Sequence, residues 1–459
     1  MSKRMVTMTE GSIEKRVIQF AIPILLSNLL QQMYNTLDTI VVGRFVGSTA
    51  LAAVGSTTAL VNLVIGFYIG LSTGAGVVVA QYYGAKNEEQ LHKSVHTGMA
   101  ISLASAVIIA IVGVVGAPHF LRWMGTPEDV MALAVSYLRI MFGGVIFMTL
   151  YNMGSGILRA IGDSTRPLIY LAVCAVLNVG LNLIFVIVFE MGVNGVAWAT
   201  IIAQSISAAL VLYNLIHTKE MYQLHPSKIR FHKDVFLRIV NIGIPAGIQS
   251  MVVSFSNVVV QSNVNSFGSV TMAAFAASGK IDAFIYMVAN ALGLTATTFV
   301  GQNVGAKQYE RVRTGVKHIV VLAMGSVAIF GGVVAIFAPQ LVGLVNSEPD
   351  VIAIGAVQLR YLALTYWLLA IPEVLSGSIR GSGISLVPMI ISMVGMCGFR
   401  LVWLAIIMPI FRDFRVVSVC YVVSWVLTAA TYLIYVKKSG WMYRFDPENR
   451  GKKLTAESK

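Results

Sequence analysis

"QYYGAK", residues 81–86, returns as "QNVGAK", residues 302–307. The offset of 221 residues persists far beyond the motif. Without a gap it pairs Gly47 with Gly268, Pro118 with Pro339, Asp129 with Asp350, Arg139 with Arg360, Gly156 with Gly377, Arg159 with Arg380 and Pro167 with Pro388. Chance does not hold one register across four helices, so the chain is a tandem duplication.

The repeated unit is built for lipid. Charged residues make up 12% of the 459 and hydrophobic residues 57%, whereas a soluble domain is roughly 25% charged. A span of hydrocarbon takes about 20 helical residues. Twelve segments qualify, near 17–43, 50–80, 94–117, 132–158, 168–189, 195–216, 239–266, 270–300, 316–338, 353–379, 386–410 and 416–436. Almost nothing remains for a soluble domain. Segment 1 follows "EKR" but is too long for the apolar part of a cleavable signal peptide and lacks a small-residue cleavage site, so it is expected to stay in the membrane.

A formal charge of +13 would suit nucleic acid, but the placement of the 33 Lys and Arg argues otherwise. Alternate loops and the two tails hold 25 of them, and the opposite loops only Arg44, Arg122, Arg412 and Arg415. This is the positive-inside bias. It predicts a multi-pass protein of the plasma (inner) membrane with both termini cytoplasmic, a lipid bilayer as its surroundings and no nucleic-acid partner. Cys174, Cys397 and Cys420 are far apart in apolar stretches, which predicts buried free thiols and no disulfide framework.

Six spans separate equivalent positions, so the halves enter the membrane in the same orientation. The expected fold is an all-α polytopic membrane protein of 12 transmembrane helices, in two six-helix bundles related by a parallel pseudo-two-fold along the membrane normal. Domain boundaries follow: an amino lobe over 1–216, a cytoplasmic linker over 217–236, a carboxyl lobe over 237–436 and a basic cytoplasmic tail over 437–459. Gly66, Gly70 and Gly74 recur every four residues on segment 2, a pattern that lets helix backbones approach.

A shift to offset 222 aligns segments 1 and 7 through Pro23 and Pro245 and shows a polar stripe on each. Asn28, Gln32, Asn35 and Thr39 on the first correspond to Ser250, Ser254, Asn257 and Gln261 on the second. Steps of three and four keep these side chains on one helical face. Amides can simply tie helices together, but four in a row favour the lining of a shared substrate cavity, to which Met33, Tyr34, Phe255 and Tyr286 would add apolar and aromatic surface.

Three acids lie within spans: Asp38, Asp282 and Glu373. Each costs about 2.5–3.5 kcal/mol or more in lipid, which makes it a functional candidate. Their repeat partners Val260, Val61 and Asn152 carry no charge, so the scaffold repeats while the acids do not. A structural ion pair is the competing explanation for Asp282, with Arg400 the available partner; Lys280, two residues away, points to another helix face. Pro372 beside Glu373 frees a backbone carbonyl. A carboxylate in a half-dry cavity can hold a proton near neutral pH, or a sodium ion where amide oxygens help.

"IPILLSNLLQQMYNTLDTIVVGRFVG" from residue 22, "LRAIGDSTRP" from 158, "NVGLN" from 178 and "ALGLTATTFVGQNVGAK" from 291 together resemble the multidrug and toxic compound extrusion (MATE) transporters, over residues 14–436. The resemblance implies the MATE, or MOP-type, fold, with two lobes around a V-shaped cavity and an inward H+ or Na+ driving efflux of organic, often cationic, drugs. Similarity to the DinF-like bacterial branch, favoured over the NorM-like one, would place a cation-coupling site on Asp38, Asn178, Asn182 and Thr200. Asn182 departs from the aspartate of that branch, leaving Asp38 the one titratable group there. The NorM-like branch puts its acids in the other lobe, where Glu373 sits on the tenth helix.

The expected function is therefore a cation-coupled antiporter working by alternating access as a monomer. No cofactor is expected, and no metal beyond Na+ at the coupling residues. The competing reading within the superfamily is a flippase for lipids or lipid-linked sugars. There is no P-loop, no His/Cys metal spacing and no nucleophile motif, so no enzyme activity is expected. A passive channel is disfavoured by the absence of a filter-like segment.

Overall fold

A computed structural model describes residues 5–443. Residues 444–459, most of the tail expected to be basic and cytoplasmic, lie outside the described residues. Among the described residues ten helices are long and apolar enough to cross a membrane, and two bent pairs, each taken as one span, bring the number to twelve. In chain order they are α1 (Ile13–Val46), α2 (Ser48–Gly84), α3 (Glu88–Trp123), α4 (Glu128–Gly143 with Val145–Ala160), α5 (Thr165–Val188), α6 (Gly192–His217), α7 (Lys233–Asn265), α8 (Ser269–Gly305), α9 (Tyr309–Ile336), α10 (Pro349–Ala363 with Tyr366–Gly381), α11 (Leu386–Ile410) and α12 (Phe414–Lys438). There is no strand among the described residues. Hydrocarbon leaves helices as the natural solution, because each segment satisfies its own backbone.

The 221-residue repeat recurs in the helices themselves. Helices α2 and α8 are both 37 residues long and start and stop in register. The bends in α4 and α10 measure 46° and 48°. Arg139 Nε donates to Val114 O at 3.2 Å, and Arg360 Nε donates to Ala335 O, also at 3.2 Å. The quoted motif explains its own recurrence: Lys86 and Lys307, which end it, take φ of +53° and +58°. That left-handed turn, uncommon outside glycine, stops one helix and starts the next.

The chain forms two compact units. One contains Leu26–Gly247; the other contains Thr7–Leu25 and the described residues from Ile248 onward. Both α1 and α7 divide their length between the units, two residues after Pro23 and Pro245 respectively. In the first unit Val78, Leu91, Val95, Ile157 and Leu158 form a core that also takes in Tyr222 and Leu224. These two come from the basic stretch between α6 and α7, and both are 1% exposed. Burying such side chains is worth about 1.5–3 kcal/mol each, so the connector is pinned to this unit. In the second unit Val260, Phe275, Leu404, Met408 and Val417 form a comparable core.

The connector is also held by histidines. His92 and His96 lie in the first turns of α3, which starts where it does because Asn87 caps it, its side chain accepting from Gln90 N at 3.1 Å. His96 is fully buried, with His225 N donating to its Nε2 at 3.0 Å. Arg230 Nε donates to His232 Nε2 at 3.1 Å, and His232 N donates to Thr97 Oγ1 at 3.2 Å. Both imidazoles act as acceptors here, which only the neutral ring can do.

Two glycines of the α2 series meet the start of α7. A Cβ on Gly74 would lie 2.5 Å from Ile239 O and 2.6 Å from Gly243 N, and one on Gly70 would strike the backbone of Gly247. Backbone therefore touches backbone, as small residues permit. Gly74→Leu should force α2 and α7 apart at a cost of about 1–3 kcal/mol or more, seen as a lower unfolding temperature in detergent. A second expectation concerns pH. Desolvation, with Arg230 and Lys93 adding to it, holds the His232 pKa below its usual value. A depressed histidine pKa contributes stability above the unfolded value near 6.5, lost as pH falls toward the folded one. Amide exchange over residues 218–232 should accelerate as pH drops from about 7 to 5, beyond its intrinsic dependence, and His232→Gln should blunt the effect.

Candidate functional site

In the first unit the four residues implied by the family resemblance form one hydrogen-bonded chain. Thr200 Oγ1 donates to Val196 O at 3.0 Å, Asn178 Nδ2 to Thr200 Oγ1 at 3.2 Å, and Asn182 Nδ2 to Asn178 Oδ1 at 3.1 Å and to Asp38 Oδ1 at 2.5 Å. The helical register explains the arrangement. Asn178 and Asn182 lie one turn apart on α5 and so share a face; Thr200 comes from α6 and Asp38 from α1. Asn178, Asn182 and Thr200 are buried, while Asp38 is half-buried.

Asn182 is the one member of the chain that donates to the carboxylate; its other bond starts a series running away from it, through Asn178 and Thr200 to Val196 O. Both Asn182 amide hydrogens are used, and its Oδ1 is buried without a partner. A bare amide oxygen beside a carboxylate is a donor set for a hard cation or a proton, and the amide takes a place where an aspartate would have put a second negative charge.

The second unit holds its acids differently. Tyr366 Oη donates to Asp282 Oδ2 at 2.6 Å, and Asp282 Oδ1 is buried without a partner. Tyr286 Oη reaches Glu373 Oε1 at 3.5 Å. The ion pair considered for Asp282 does not form. Arg400 is instead engaged by Ser424 Oγ at 3.1 Å, Asn257 Oδ1 at 3.2 Å and the Tyr421 ring, 4.4 Å from its Cζ. Lys280 is exposed and makes no ion pair with Asp282.

Sequence reasoning missed the polar residues that complete this unit. Arg380 Nη2 donates to Gln249 Oε1 at 3.1 Å and to Ser376 Oγ at 3.0 Å. Gln249 Nε2 in turn donates to Ser392 Oγ at 2.9 Å. Gln249 sits one residue before the stripe at Ser250, and Arg380 was visible only as a repeat partner. Tyr366 gave no signal, since an aromatic in an apolar segment is ordinary.

The two stripes leave polar groups uncovered by protein. Asn35 and Thr39 on α1, and Ser254, Asn257 and Gln261 on α7, are exposed, whereas Asn28, Gln32 and Ser250 are half-buried. Tyr286 is 40% exposed. Several bonds stay local, such as Thr39 Oγ1 to Asn35 O at 2.9 Å and Gln261 Nε2 to Asn265 Oδ1 at 2.9 Å. No group of three or more His, Cys, Asp or Glu among the described residues is placed to hold a metal ion, and Cys174, Cys397 and Cys420 are buried free thiols.

Twelve apolar spans in two repeated sets, with acids and amides inside them, define a multi-pass membrane protein. The MatE family profile matches residues 23–184 and again 245–406, and the chain belongs to that family, the MATE transporters. It is 31% identical over 401 residues to "Probable multidrug resistance protein YoeA" of Bacillus subtilis, covering 85% of this chain and 86% of that protein. "Probable multidrug resistance protein NorM" of Thermotoga maritima is 24% identical over 395 residues, covering 85% and 84%. Among solved structures, "Outward-facing conformation of a multidrug resistance MATE family transporter of the MOP superfamily" aligns with a TM-score of 0.89 at 22% identity, over 96% of this chain and 99% of that one.

The Asp38 chain makes a stability prediction. Asn182→Leu removes the donor to both Asp38 Oδ1 and Asn178 Oδ1, and a buried acceptor left unsatisfied costs about 1–3 kcal/mol. The variant should unfold at a lower temperature than the parent, and Asn178→Leu combined with it should cost less than the sum of the single changes.

Proposed function

We propose that this chain is an antiporter that exports organic compounds by alternating access, driven by an inward H+ or Na+. The observation that carries the reading is the Asp38 site: a carboxylate held by one amide donor from Asn182, whose own oxygen is buried and bare. A cation seated there neutralises the carboxylate and competes with the Asn182 contact, so occupancy changes which packing of α1 and α5 is preferred. Asp282, with one bare oxygen, and Glu373 are the second-unit candidates for coupling.

One elementary charge moving through 100 mV supplies about 2.3 kcal/mol, enough for a concentration ratio of roughly fifty. Multidrug efflux is supported by the names of the relatives, among them "Multidrug export protein MepA" of Staphylococcus aureus, which disfavour a flippase. The DinF-like assignment rests on the joined Asp38, Asn178, Asn182 and Thr200. The asymmetry of Lys and Arg supports a plasma-membrane protein with both termini cytoplasmic, and we assign the monomer as the working unit. The polar stripes, Asn28, Gln32 and Asn35 on α1 in the first unit and Ser250, Ser254, Asn257 and Gln261 on α7 with Tyr286 in the second, are the residues proposed to contact substrate.

The test is ethidium efflux from proteoliposomes under a sodium gradient alone or a proton gradient alone, in the parent, Asp38→Asn and Asp282→Asn. At least one substitution should abolish uphill transport while the protein still reconstitutes. Full activity in both would remove these residues from the coupling site.

A further inference from the structure

Arg400 is 4% exposed, and no carboxylate among the described residues lies within ion-pairing distance of it. A guanidinium carries five N–H donors. Two bonds, to Ser424 and Asn257, account for part of them. The partner that Arg400 meets on α7, Asn257, is exposed and belongs to the polar stripe, so the cation lies one contact beneath a face that lipid would not favour.

The charge is not demanded by the helix scaffold, because the repeat places Val179 at the equivalent position of α5. Nor is it neutralised locally. Between Arg400 and Asp282 runs a band of rings: Tyr421 under the guanidinium, Trp425 at 6.1 Å from Tyr421, and Tyr366 at 4.7 Å from Trp425, with the Tyr366 hydroxyl on Asp282. A cation and an anion thus stand at opposite ends of an aromatic strip. A buried charge without a counter-ion is costly, and the planar guanidinium suits a carboxylate in two-point contact.

We propose that Arg400, reached past Asn257, is a specificity-determining residue that binds the carboxylate of an aromatic substrate. The inference rests on the export function above and adds a charge class to the cargo: aromatic compounds bearing an anionic group, zwitterions included, beside cations such as ethidium.

The test compares rhodamine B, which has a free carboxylate, with its ethyl ester, which lacks it, by fluorescence polarisation on the detergent-solubilised full chain. The parent should bind rhodamine B about tenfold more tightly than the ester, and Arg400→Gln should bring that ratio close to one, with Arg400→Lys intermediate. If Arg400→Gln does not fold, Asn257→Asp decides the matter: an internal carboxylate beside the guanidinium should remove the same preference. Absence of binding or of preference for rhodamine B in the parent, or a preference that survives these substitutions, overturns the proposal. The readout is binding, so a parent protein that fails to move either dye uphill in proteoliposomes would count against the transport reading and leave this ratio measurable.

Discussion

Hydrocarbon offers no hydrogen bonds, and every polar group placed in it must find a partner inside the protein. That constraint organises this molecule. Backbone groups are settled by helices. Side chains are settled by contacts such as Arg139 to Val114 O and its repeat, Arg360 to Ala335 O. Where the settlement is incomplete, at Asn182 Oδ1 and Asp282 Oδ1, chemistry becomes available. The two places differ in kind. Asp38 is approached by an amide donor that a cation can rival, whereas Asp282 is held by a phenol backed by Trp425.

Most of the architecture was legible in the sequence because it depends on composition and register, which survive without three-dimensional information. The spans came from apolar length, and the repeat from paired glycines, prolines and arginines. The bends in α4 and α10 were not legible, although the segments were. A break such as that between Gly143 and Val145 reads as a glycine pair within an unbroken apolar run.

The site was legible in part. Asp38, Asn178, Asn182 and Thr200 were implied by resemblance, and their joining depends on α1, α5 and α6 meeting, which no spacing within one helix reports. The company Arg400 keeps was not legible, since Ser424 and Tyr421 look like ordinary helix residues until α11 and α12 pack. The connector hid its anchors too. Tyr222 and Leu224 sit among lysines and histidines, where average polarity masks two buried side chains.

The prolines of α1 and α7 carry a mechanical consequence. Each lacks an N–H, so the carbonyls of Gln19 and Asn241, four residues earlier, lose the helical donor they would otherwise have. A rod missing one rung of its ladder bends there at a smaller energetic cost than elsewhere. The polypeptide therefore carries a flexural joint on each of the two rods that pass from one compact body to the other, and flexing need not disturb the packing within either body.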